Sequence, residues 1–148
     1  MLSESARMSS AAEAVFRVQA PNSRPRVVKI VALDSTAEPV VRRLAAASWN
    51  QATFHTAAAF GGNLREEVAA ADLVVMVAGP GGHANLASEI GAACSDRRVM
   101  TTGLVVGAAA ATDEALSRTL AQLRPWSLMV VIANADEYIE DMLSALRA

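Results

Sequence analysis

The chain has 148 residues, of which 53 % are hydrophobic, 19 % charged and 4 % aromatic, and its formal net charge is -2. That length fits one domain with a substantial core, while the charge balance excludes a basic nucleic-acid footprint. No apolar run reaches the ~18 residues of a membrane span, and a lone cysteine, Cys94, excludes an internal disulfide framework and fits a reducing, cytoplasmic setting.

The apolar share exceeds that of an average soluble domain. It predicts strands buried on both faces, or a protomer that hides surface in an oligomer. Lys29 is the only lysine and follows no glycine loop, which rules out a P-loop lysine. Two histidines, His55 and His83, with one cysteine do not make a zinc set, so no metal site is expected. The N-terminus lacks a cationic start followed by an apolar stretch, and a secretory signal is not expected.

Residues 1–25 read as a flexible arm, punctuated by Ser9, Ser10, Pro21, Asn22, Ser23 and Pro25. A helical stretch at 11–19 puts Val15 and Val18 on one side. A single domain follows from residue 26 to 148, and it alternates cleanly. Residues 27–33 form an apolar, β-branched first strand. Residues 39–48 have Val40, Val41, Leu44 and Ala47 at helical spacing. Residues 52–57 are a weak second strand. A short helix over 63–70 begins with a capping-box pattern, Asn63 with Glu66. Residues 73–78 are the third strand and 84–95 the next helix, with Leu86, Ile90 and Ala93 inward.

Residues 99–106 form the fourth strand. Thr112 caps the following helix, whose first turn carries Asp113 and Glu114 and whose buried stripe is Leu116, Leu120 and Leu123. Pro125 stops it. Residues 128–133 are the fifth strand, and Asn134 with Glu137 is positioned to cap a terminal helix. The rhythm predicts a single three-layer α/β domain of Rossmann-like, flavodoxin-like type, with a mostly parallel five-stranded sheet in the order 2-1-3-4-5. The order reverses between strands one and three, and ligands of such sheets bind at that point.

Two loops line the reversal. Gly79-Pro80-Gly81-Gly82-His83-Ala84-Asn85 places three glycines at a strand end, with a helix following. Backbone amides at Gly79, Gly81 and Gly82, with His83 and Asn85 as side-chain donors, suit an anion; a tight strand-to-helix turn explains the same glycines. The loop Asp34-Ser35-Thr36-Ala37-Glu38 lacks the glycines of a dinucleotide fingerprint. Asp34 repels a phosphate there but suits a ribose hydroxyl or a cation. Ser35 with Glu38, followed by Pro39, also has the spacing of a helix cap. Asn134 lies at the rim, within reach of a sugar or base. No nucleophile–base pair converges, so no catalytic residue is assigned.

The run 64–141 resembles the nucleotide-binding half of FtsZ and tubulin-like GTPases. The resemblance rests on Ala71-Asp72-Leu73-Val74-Val75-Met76-Val77-Ala78-Gly79, on the glycine loop, and on Val130-Val131-Ile132-Ala133-Asn134. It implies a similar fold and a remnant nucleotide pocket. His83, Ala84 and Asn85 replace that family's further glycines, and its water-activating segment is missing, which argues against GTP hydrolysis. Asp34 and the run 71–75 are similar to response-regulator receivers. Val77, Ala78 and Gly79 stand where that family carries its phosphoacceptor, which argues against phosphotransfer. The leading expectation is a non-catalytic or degenerate module for a nucleotide or small anion, with no cofactor required for folding. The alternative is an interaction or regulatory domain without a small-molecule ligand, forming a homodimer or binding a partner.

Overall fold

Alternating buried positions dictate the sheet. The computed structural model describes residues 26–146 and 148, so the arm expected over 1–25 lies outside the described residues. Five strands form: β1 Val28–Ala32, β2 Ala52–Thr56, β3 Leu73–Ala78, β4 Met100–Val106 and β5 Met129–Ala133. The helices are α1 Ala37–Ala45, α2 Ala57–Gly62, α3 Leu64–Ala69, α4 Leu86–Arg97, α5 Asp113–Leu123 and α6 Asp136–Ala145. Short 3-10 turns lie at Ala108–Ala110 and Arg124–Trp126.

All four ladders are parallel and the strand order is β2-β1-β3-β4-β5. This is the expected flavodoxin-like order, reversing between β1 and β3. Even-numbered β1 residues Val28, Ile30 and Ala32 join Leu73, Val75 and Val77 of β3 on one face. Val41 and Leu44 of α1 and Ile139 and Leu143 of α6 cover them. Val31, Val74, Met76 and Val105 point the other way, under Phe60, Val68, Ile90, Cys94 and Leu123. The period of two in each strand thus feeds two separate cores. β3 is central and buried at every position, which is why its sequence is an unbroken apolar run rather than an alternation.

Several caps differ from the expected ones. Ser35 makes no cap: the N–H of Ala37 donates to Asp34 Oδ1 at 2.9 Å, one residue earlier than the box pattern implied. Asn63 and Ala135 stand at the starts of α3 and α6 without a side-chain cap bond, so neither Asn63 nor Asn134 closes its helix. Thr112 does cap α5, accepting from the N–H of Ala115 at 3.1 Å. α2 is additional to the expected elements. It is held by Thr56, which accepts from Ala59 N–H at 3.2 Å, and by the buried ring of Phe60. No helix among the described residues is long and apolar enough to cross a membrane.

Candidate functional site

A parallel sheet puts every strand-to-helix loop at its carboxyl edge. The loops after β1 and β3 therefore meet at the switch point, and the structure brings Asp34 against Gly79 and Gly82. Asp34 lies across the glycine loop. Its Oδ2 accepts from Gly79 N–H at 3.0 Å and its Oδ1 stands 3.3 Å from the same nitrogen. With the Ala37 bond, one carboxylate thus satisfies two backbone donors, one of them 45 residues away in sequence.

The glycines are there for close approach. A Cβ on Gly79 would collide with the Thr36 side chain. A Cβ on Gly82 would lie 2.7 Å from Asp34 Cγ. Gly81 has φ +80°, a conformation that other residues rarely adopt. The bond from Gly82 N–H to the Gly79 carbonyl, at 3.2 Å, closes the turn.

Helix α5 holds the loop from its other side. Thr119, buried on the apolar stripe, accepts from Gly81 N–H at 3.0 Å and donates to the Gly79 carbonyl at 3.3 Å. Gln122 Oε1 accepts from Ala84 N–H at 3.2 Å. Sequence reasoning missed both residues. The signal was Thr119, a hydroxyl in the register of Leu116, Leu120 and Leu123, where an isolated polar group needs a partner. The amides of Gly79, Gly81, Gly82 and Ala84 are accordingly engaged within the chain, and Pro80 has none to offer.

The remaining sequence-derived candidates are solvent-facing. Ser35, His83, Asn85 and Asn134 are exposed. Asn134 follows β5, two strand spacings from β3, which is about 10 Å. A second anion ~4 Å from Asp34 would be repelled by about 4 kcal/mol at an effective dielectric of ~20. A helix N-terminus returns at most about 2 kcal/mol. Asp34 already accepts from the Gly79 N–H that such an anion would contact. Among the described residues, no group of three or more His, Cys, Asp or Glu is arranged to hold a metal ion.

Two other polar features stand outside the switch point. On β1 and β2, Lys29 Nζ lies 3.0 Å from Glu67 Oε2 of α3, and His55 Nε2 lies 3.6 Å from the same oxygen. Thr53 Oγ1 is 2.8 Å from His55 Nε2, and the His55 ring packs edge-on against Phe60. Burial lowers the His55 pKa against the opposing pull of Glu67, with Lys29 lowering it further. The hydrogen bond from Lys29 lowers that of Glu67. Cys94 is buried in the second core, and desolvation raises its thiol to about 11, so it behaves as a small hydrophobe.

The apolar surface is concentrated at the opposite edge of the sheet. Leu128 is 75 % exposed, Met129 44 % and Ile132 43 %. Met100, Trp126 and Tyr138 are also large and exposed. Met100, Trp126 and Leu128 line one groove with Cys94 and Arg98. Comparison with protein-family models and with curated protein sequences finds no match.

Proposed function

We propose that this domain works as a non-catalytic interaction or regulatory module that recognises protein rather than a small molecule. The observation that carries the reading is the set of exposed apolar residues along β5, Leu128, Met129 and Ile132, beside a groove that Leu128 lines with Met100 and Trp126. Exposed apolar surface clustered at one sheet edge costs solubility unless a partner covers it. The switch point supports the same reading, because Asp34, Thr119 and Gln122 already take the amides that a ligand would need.

Two measurements test it. Nucleotides, dinucleotides and simple anions should leave the melting temperature unchanged; a ligand present at ~100 times its dissociation constant would add ~2.7 kcal/mol. A photocrosslinking amino acid at Ile132 should give discrete protein adducts in cells, whereas one at Arg42, exposed on α1, should not. A nucleotide-dependent stabilisation that Gly81→Trp abolishes would overturn the reading in favour of the remnant nucleotide pocket.

A further inference from the structure

The two edges of the sheet are built differently. The β2 edge carries Thr53, His55 and Thr56, and the Lys29–Glu67 ion pair ties α3 down beside it. The β5 edge is apolar throughout, from Met129 to Ala133. From Pro125 to Ala135 the chain contains no charged residue, and within β5 there is no proline. Edge strands that stay single are normally blunted by charge, proline or a bulge. Among the described residues, β5 pairs only with β4.

The free backbone groups of β5 can be identified. Leu128 N–H donates to the Thr101 carbonyl at 3.0 Å. In an extended strand the N–H and C=O of one residue point the same way and neighbours alternate. Odd-numbered β4 residues face β5, as the Thr101 carbonyl does, and the register pairs Gly103 with Val130. Met129, Val131 and Ala133 therefore bond to β4, and Val130 and Ile132 turn their donors and acceptors to the open edge.

We infer that the β5 edge is covered by the β5 edge of a second copy of this chain, running antiparallel about a two-fold axis at Val131. The inference rests on the interaction role proposed above and names its partner. Charge selects the antiparallel sense. Exposed Arg124 precedes the strand, and exposed Glu137 and Glu140 follow it. Antiparallel pairing sets the basic end of one copy beside the acidic end of the other, and parallel pairing sets like against like. In that register Val131 faces its own counterpart and Val130 faces Ile132 of the second copy, so every cross-strand pair within β5 is apolar. Each copy has one such apolar edge, so two-fold pairing along it closes the assembly at two.

Sedimentation velocity on the full chain from about 1 to about 100 µM should show a monomer–dimer equilibrium. Ile132→Lys and Met129→Lys should each weaken it at least ten-fold with unchanged circular dichroism. In a Cys94→Ala background, Val131→Cys should oxidise to a disulfide dimer, because residues facing across such an axis as a non-hydrogen-bonded pair have Cα atoms about 4.5 Å apart. Leu128→Cys should not. Should the lysine variants fail to fold, the wild-type chain still reports: amide exchange at Val130 and Ile132 should slow as concentration rises. A monomer throughout the range, a dimer indifferent to both lysines, or a crosslink at 128 in place of 131 would each overturn the inference. The outcomes separate two failures. A monomer that binds no nucleotide removes the second copy and leaves the interaction role, while a ligand at the glycine loop removes that role itself.

Discussion

Removing the Asp34 carboxylate is the most informative perturbation, because a single side chain joins helix α1 to the glycine loop. Asp34→Ala deletes the N-terminal cap of α1, the bond to Ala37 N–H. Loss of such a cap costs about 1 kcal/mol. The variant also strips Gly79 N–H of its acceptor. Gly79 is buried, and an orphaned buried donor costs about 1–3 kcal/mol. The sum is a loss of about 2–4 kcal/mol. At about 3 °C per kcal/mol for a chain of this size, the melting temperature should fall by about 6–12 °C. Urea unfolding at pH 7 measures the free energy directly. Asp34→Asn keeps one carbonyl acceptor for two donors and should lose about half as much. The variants carry a second readout at constant ionic strength. Sulfate should stabilise Asp34→Ala more than the wild type, because it can return an acceptor to the vacated amide. A loss below about 0.5 kcal/mol for Asp34→Ala, the range of an ordinary surface change, would refute the clasp. So would a wild-type chain that sulfate stabilises as much as the variant.

The cluster at β2 sets an acid limit. The folded pKa of His55 is below its ordinary 6.5, so the unfolded chain binds the proton first. Stability is full above about pH 6.5 and falls as pH drops toward the lowered value. Glu67, also lowered, adds a further loss below its ordinary 4.5. Urea midpoints at pH 7.5, 6 and 5 should decline, and His55→Gln should flatten the upper part of that decline. Gly91→Ala should be destabilised by about 1–3 kcal/mol, because the new Cβ would lie 2.8 Å from Cε3 of Trp126; thermal melts check it. Cys94 should resist thiol reagents at pH 8 in the native protein and react within seconds in 6 M guanidinium, as a buried thiol raised to about 11 requires. Fast native labelling would show that the second core opens readily.

The strand order was legible in the sequence because it rests on long-wavelength pattern. Leu73-Val74-Val75-Met76-Val77-Ala78 is apolar without a break, and only a strand covered on both faces tolerates that. α2 was not legible. Ala57-Ala58-Ala59-Phe60-Gly61-Gly62 has too few residues to show a period, and glycine is a poor helix former. Its helix comes from a tertiary contact, the burial of Phe60. Caps were legible as neighbourhoods and not as partners. Asp34 and Ser35 both suit a helix start, and only the position of Gly79 decides which side chain is used. The glycine loop was located correctly as a place, at the rim of the sheet's reversal. What fills that place depends on Thr119 and Gln122, some 40 residues downstream, and no local spacing encodes that meeting.

The all-parallel ladder also governs the order in which the chain can assemble. No strand can zip with its sequence neighbour through a tight hairpin, since each pairing waits for an intervening helix to form and swing across. The clasp between the first and third loops closes only after β3 has inserted beside β1. Where that insertion follows the folding transition state, the clasp acts chiefly on the rate of unfolding. In that case the carboxylate at position 34 sets how long a finished molecule persists rather than how fast it is made.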